Sequence, residues 1–122
     1  RGIGKNEEAL EVYRTTRRII DELVQEAPGN YLPLFALGQN LAGMGLVYWV
    51  GDENEKAINS FKESVATYET LVAKHPLDPQ SQESVGEVLG YLWELYFDRG
   101  ELENALAAAT RSLEILETLS NH

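Results

Sequence analysis

Asn54-Glu55-Lys56-Ala57-Ile58 decides the fold of this chain, because two similar stretches occur elsewhere in it. Asn6-Glu7-Glu8-Ala9-Leu10 lies 48 residues earlier, and Leu102-Glu103-Asn104-Ala105-Leu106 lies 48 residues later. Self-similarity at a fixed period of about 20 to 50 residues is typical of stacked supersecondary units. The sequence therefore predicts a repeat protein, in which each unit contacts only its neighbours.

Apolar or small residues recur at intervals of three and four within residues 54–75. They are Ala57, Ile58, Phe61, Val65, Tyr68, Leu71 and Val72. This spacing predicts one face of an amphipathic helix. Residues 31–49 and 79–98 carry a similar stripe, and no segment shows the sustained alternation of a strand. The sequence therefore predicts an all-α fold.

Proline and glycine mark the expected helix boundaries. Pro28 and Pro76 follow two of the helices and cannot continue a helical hydrogen-bond ladder. Turns are expected at 51–52 and 99–100, which contain Gly51 and Gly100. The expected N-caps, each followed by acidic residues, are Asn6, Asn54 and Glu101.

The order of small and large residues is the same in both complete repeats. Leu37-Gly38 and Val85-Gly86 are each followed, three residues after the glycine, by a leucine, and later by an alanine in the second helix. This order resembles the tetratricopeptide repeat, a helix-turn-helix unit of about 34 residues. The resemblance implies a right-handed α-α superhelix of antiparallel helix hairpins, with five helices in this chain.

The period of 48 residues is longer than that of the family by one heptad in each helix. Seven residues make about two helical turns and rotate a face by only about 20°, so the apolar stripe stays in place. The chain looks like the long-helix variety of the family, which is associated with bacterial signalling proteins. Such a resemblance is specific for fold and unspecific for function.

The repeat predicts how the single domain, residues 1–122, is organised. Residues 6–26 form an unpaired second helix of a preceding repeat, 31–75 the first full repeat and 79–119 the second. We expect the chain to be a piece of a longer cytoplasmic protein, with Arg1-Gly2 as the end of a turn. Because both terminal helices expose apolar residues, including Leu10 and Tyr13, self-association as a homodimer is an alternative function.

The resemblance places the partner-binding groove on the first helix of each hairpin. The predicted binding residues are Phe35, Gln39, Leu46, Trp49, Glu83, Glu87, Glu94 and Phe97. A protein or peptide with apolar anchors beside basic residues would complement this set. In a purely structural interpretation, Phe35 and Trp49 pack against the neighbouring helix and the glutamates form a solvated face.

Composition and charge exclude several other classes of function. A formal net charge of −10 argues against nucleic acid and anionic membranes as partners. Gln39, Glu83 and Glu87 occupy the positions where some family members hold a carboxylate with lysine or arginine, so that ligand is not expected. We expect no enzymatic activity, metal or cofactor: cysteine is absent, and His75 and His122 have no second ligand at metal-binding spacing.

Overall fold

A computed structural model describes residues 2–121, and the side chains from residue 4 onward. Within this range the chain forms five α-helices and no strand. They are α1 (Gly2–Glu26), α2 (Tyr31–Val50), α3 (Asn54–Lys74), α4 (Pro79–Asp98) and α5 (Leu102–Ser120). The prediction of an all-α chain with five helices is confirmed.

The start of α1 differs from the prediction. The helix includes Gly2, four residues before the expected start, and Asn6 lies inside it rather than at its N-cap. Glycine costs a helix only about 1 kcal/mol relative to alanine, so Gly2 and Gly4 do not end it. The turn expected at Arg1-Gly2 is therefore wrong at Gly2, while Arg1 and His122 lie outside the described residues.

The turns inside the two hairpins have the same backbone geometry. Asp52 and Gly100 both have positive φ, 64° and 75°. The next N–H closes each turn: Glu53 donates to the Tyr48 carbonyl at 2.8 Å, and Glu101 donates to the Tyr96 carbonyl at 2.9 Å. The 48-residue period thus holds for individual hydrogen bonds. The N-cap of α3 is Glu53 and not the expected Asn54, so this helix starts one residue earlier than predicted, whereas Glu101 is the N-cap of α5 as predicted.

Each helix packs against the next one along the chain, so the fold grows in one direction. α3 lies between α2 and α4 and is the most buried helix, with Phe61 and Leu71 fully covered. The core continues into α4 through Val85 and Leu95. Terminal helices α1 and α5 bury few residues, which leaves apolar surface at both ends of the fold.

A hydroxyl and a glycine hold the two helices of each hairpin together. Ser64 Oγ donates to the Gly38 carbonyl at 2.8 Å, and Ser112 Oγ donates to the Gly86 carbonyl at 3.3 Å. In the first hairpin the approach requires glycine, because a Cβ at Gly38 would lie 2.5 Å from the Tyr68 ring. The repeat therefore conserves a polar contact at the centre of each hairpin.

Asp78 fixes the position of α4 relative to α2. Its carboxylate caps α4 by accepting from the Gln80 N–H at 3.2 Å, and it also accepts from Ser81 Oγ at 2.8 Å. Tyr31, at the start of α2, donates its hydroxyl to the same carboxylate at 2.6 Å. The bond from Tyr31 holds the pKa of Asp78 below its ordinary value.

Candidate partner-binding surfaces

Phe35 and Trp49, the predicted aromatic anchors, both face the interior of the fold. The Phe35 ring stacks on Tyr31 at 5.6 Å and meets Tyr68 at 5.5 Å. The Trp49 ring lies 6.1 Å from Phe61 and 6.1 Å from Tyr91. Both side chains are partly buried against the core, so their main contacts join α2 to α3 and α4.

Gln39 is exposed in a groove between α1 and α2. We call this the N-terminal groove; it has a volume of about 360 Å³. Its lining residues are Val12, Tyr13, Thr16, Ile20, Ala36, Gln39 and Asn40. None of the seven carries a charge. Leu46, the remaining predicted residue of α2, is also exposed but lies outside this lining.

Glu83 and Glu87 lie together in a second groove, between α4 and α5. We call this the acidic groove; it has a volume of about 310 Å³. Its lining residues are Glu83, Gly86, Glu87, Ser112, Ile115, Leu116 and Leu119. α4 supplies the two carboxylates and α5 supplies the apolar floor, in which Leu116 is 55% exposed. Glu83 and Glu87 were named as binding residues from the sequence, whereas the apolar residues of α5 were expected only as part of an exposed terminal helix.

Phe97 forms an exposed aromatic pair with Trp93 further along α4. The two rings stack at 5.6 Å with an interplanar angle of 8°, and they are 55% and 38% exposed. Sequence reasoning missed Trp93, although a spacing of four residues places both rings on one helix face. Glu94 is exposed on the same turn of α4.

The acidic groove belongs to the more acidic part of the chain. Residues 78–122 contain nine Asp and Glu but two basic residues, Arg99 and Arg111. Both arginines are already paired: Arg99 with Glu55 and Glu101, at 3.0 and 2.7 Å, and Arg111 with Glu69 at 2.6 Å. The carboxylates of α4 therefore set a negative potential over the groove.

The pKa of Tyr91, which is partly buried, is affected by these carboxylates. Burial raises its pKa, and the nearby charges of Glu87 and Glu94 raise it further, because ionised tyrosine would add another negative charge. Glu87 and Glu94 thus act on the same face of α4. All four predicted residues of the second hairpin, Glu83, Glu87, Glu94 and Phe97, lie on α4.

A concavity of about 470 Å³, larger than either groove, lies between α3 and α5. Its floor is formed by Leu89, Leu92 and Tyr96 of α4, and the small side chains Ala107 and Ala108 widen it. Lys62 and the paired Arg111 and Glu69 line its sides. None of the predicted binding residues lines this concavity, and its mixed charges favour no class of partner.

Other kinds of site find little support in residues 2–121. No group of three or more His, Asp or Glu in this range is placed to hold a metal ion. None of the helices described is long and apolar enough to cross a membrane. His75 ends α3, where its ring makes an edge contact with Tyr31 at 5.5 Å.

Comparison with known proteins adds little to these observations. No protein-family model and no curated protein matches the sequence. Among solved structures, the crystal structure of MamA is similar at 14% identity over 98% of each chain, with a TM-score of 0.27. A TM-score this low does not indicate a shared arrangement of helices. The description of the fold is therefore based on the five helices of this chain alone.

Proposed function

We propose that this chain is a non-enzymatic protein-interaction scaffold of the tetratricopeptide type, acting within the cytoplasm. In this proposal, the acidic groove binds a partner helix or peptide that carries apolar residues beside basic ones. The observation that carries the proposal is the pairing of an acidic wall, Glu83 and Glu87, with an exposed apolar floor around Leu116.

Equivalent positions of the first hairpin support a helix as the ligand. Gly38, Ser64, Tyr68 and Leu71 precede Gly86, Ser112, Leu116 and Leu119 by one period. The earlier four are buried, and α4 packs against α3 beside them. In the second hairpin Leu116 and Leu119 have no such cover among the described residues. The acidic groove therefore has the shape that one further helix fills.

The negative charge of the α4 carboxylates supports a basic ligand rather than a neutral one. Glu83, Glu87 and Glu94 recur on one face of α4 and are exposed, so a ligand meets them before it reaches the floor. Opposite charge at the rim mainly raises the association rate, and salt weakens this effect. Burial of leucine-type side chains on the floor would supply most of the affinity.

A labelled basic amphipathic peptide of leucine and lysine, with leucine at helical spacing, provides the test. We expect it to bind the wild-type chain in fluorescence polarisation, more weakly as salt increases. Glu83→Lys/Glu87→Lys should abolish binding. The matched control is Glu22→Lys/Glu26→Lys on α1, which changes the net charge equally at exposed positions.

Two results would contradict the proposal. Equal losses in both double variants would mean that only net charge matters. Unchanged binding by Leu116→Asp would mean that the ligand does not reach the apolar floor. Thermal unfolding of every variant, followed by circular dichroism, checks that each remains folded.

Self-association is the second candidate, because both terminal helices expose large apolar side chains. On α5 these include Leu106 and Leu113, and on α1 they include Val12 and Ile19. Leu10, expected on the open face, is instead buried. Sedimentation velocity over a range of concentrations tests this function. A homodimer weakened by Val12→Asp or Leu113→Asp supports it, whereas a monomer at all concentrations removes it.

A further inference from the structure

We propose that the exposed pair Trp93 and Phe97, together with Glu94, binds an arginine side chain of the partner, so that the surface of α4 prefers arginine to lysine. This inference rests on the proposed function, because it names the basic residue that the bound helix or peptide carries. Three observations support it: the geometry of the two rings, the carboxylates beside them and the different residues at the equivalent positions of the first hairpin.

The two rings offer a flat aromatic surface to solvent. They stack at 5.6 Å with an interplanar angle of 8°, so their planes are nearly parallel. More than a third of each side chain is exposed, 55% of Phe97 and 38% of Trp93. A guanidinium group is planar and less strongly hydrated than an ammonium group, and it stacks on aromatic faces. The pair therefore suits an arginine side chain better than a lysine side chain.

Carboxylates on α4 lie beside the pair. Glu94 precedes Phe97 by three residues, a spacing that makes two side chains neighbours on a helix surface. Neither Glu94 nor Asp98 forms an ion pair with a described residue, and the same is true of Glu83 and Glu87. All four are exposed. A guanidinium group on the rings therefore has a carboxylate within the same helix turn to pair with.

The aromatic pair also continues the acidic groove along α4. Gly86 lines that groove, and Trp93 follows it by seven residues, which is about 10 Å along the helix with a rotation of only about 20°. Gly90 lies between them, and a Cβ at Gly90 would meet nothing within 4 Å. The surface between the groove and the rings is therefore open. One ligand helix of about three turns is long enough to touch both.

The first hairpin lacks both features. The equivalent of Trp93 is Gly45, where a Cβ would lie 2.5 Å from the Phe61 ring. The four carboxylates have uncharged equivalents, Phe35, Gln39, Leu46 and Val50. Because α4 covers the first hairpin within the chain, packing of a neighbouring repeat requires neither an exposed aromatic pair nor charge at these positions. We therefore assign the arginine to a separate partner protein.

Nα-acetyl-arginine amide is the first probe, because it carries the guanidinium group without a helix. The chain has two tryptophans, so the indole N–H resonances of Trp49 and Trp93 can be followed separately. We expect the probe at millimolar concentration to shift the Trp93 resonance and to leave that of Trp49, which packs against Phe61 and Tyr91, unchanged. Nα-acetyl-lysine amide at the same concentration should shift the Trp93 resonance less.

The second measurement compares the leucine–lysine peptide with a peptide in which arginine replaces every lysine. We expect the arginine peptide to bind the wild-type chain about two- to fivefold more tightly, the range for one cation–π contact at an exposed site. Trp93→Leu/Phe97→Leu keeps the side chains apolar but removes the rings, and it should abolish this preference. Phe97→Leu alone, at the more exposed ring, should reduce it and serves as the second variant if the double variant does not fold.

The matched control is Val12→Ala/Ile19→Ala, at two exposed apolar positions of α1. This variant should keep the preference for arginine. Thermal unfolding followed by circular dichroism shows whether each variant is folded.

Three results would overturn the inference. The first is equal affinity of the wild-type chain for the two peptides. The second is a preference for arginine that persists in the folded Trp93→Leu/Phe97→Leu variant. The third is self-association of the chain that this variant abolishes, since the occupant would then be a second copy.

Failure of both peptides to bind would instead contradict the proposed function. In that case Nα-acetyl-arginine amide decides the inference separately. A shift of the Trp93 resonance that exceeds the shift caused by Nα-acetyl-lysine amide would support the arginine site, and equal or absent shifts would overturn it.

Discussion

Tyr31 and Asp78 lie 47 residues apart in the sequence, and the hydroxyl of one donates to the carboxylate of the other at 2.6 Å. This bond joins the start of α2 to the start of α4. It therefore links the two hairpins at their ends, where neither helix is held by its own hairpin turn.

Asp78→Ala should destabilise the fold by about 1 to 2 kcal/mol, the upper range for loss of a helix N-cap. The change removes the cap of α4 and leaves the Tyr31 hydroxyl without its acceptor. Urea unfolding followed by circular dichroism measures the loss. Asp98→Ala, at the exposed last residue of α4, is the control and should cost nothing. Equal stability of the two variants would contradict this role for Asp78.

Because of the Tyr31–Asp78 hydrogen bond, the free energy of unfolding should depend on pH in the acidic range. The hydrogen bond from Tyr31 lowers the pKa of Asp78 from its ordinary value of 3.8. Because the folded-state pKa is the lower one, the stabilisation is complete above the ordinary value and is lost as the pH falls through the folded pKa. Tyr31→Phe should therefore reduce the slope of unfolding free energy against pH below about pH 4. A slope identical to that of wild type would refute the assignment.

Gly38→Ala and Gly90→Ala should have opposite effects on stability. A methyl group at Gly38 meets the Tyr68 ring at 2.5 Å, so the hairpin must open, at a cost of about 1 to 3 kcal/mol. At Gly90 nothing lies within 4 Å, and alanine should stabilise α4 by about 0.5 to 1 kcal/mol. Chemical denaturation of both variants measures the difference. Destabilisation by both to the same extent would mean that the contact with Tyr68 is unimportant.

Trp49 and Phe97 occupy equivalent positions of the two hairpins but should contribute differently. Trp49→Ala removes contacts with Phe61 and Tyr91, and we expect a loss of at least about 2 kcal/mol. Phe97 contacts Trp93 but is 55% exposed, so Phe97→Ala should cost less than about 1 kcal/mol. The thermal unfolding midpoints compare the two. A larger loss for Phe97 would show that its ring is part of the core.

The sequence was sufficient to predict the five helices and most of their ends, though not the start of α1, because these signals are local. The stripe that includes Phe61 and Leu71 predicted the buried face of α3, and Pro28 and Pro76 predicted the ends of α1 and α3. Gly100 marked a turn that the structure has. Each of these signals lies within a few residues of the feature that it predicts.

The surfaces were harder to predict, because they depend on contacts between hairpins. Spacing placed Phe35 and Trp49 on one face of α2, but only the position of Tyr91 determines how far Trp49 is covered. Likewise, the floor of the acidic groove comes from α5, and the repeat pattern alone does not indicate which side of Leu116 remains open. Partner binding by the predicted residues stays a prediction.

The position of α3 between α2 and α4 has a consequence for the motions of the molecule. Helices α1 and α5 each have one packed neighbour in the described chain, whereas α3 has two. In a linear array, opening of an end unit breaks one interface, but exposure of the middle unit breaks two. Hydrogen exchange should therefore proceed inward from both termini, with the amides around Phe61 exchanging last. A ligand in either groove would slow exchange first in the terminal helix that it covers.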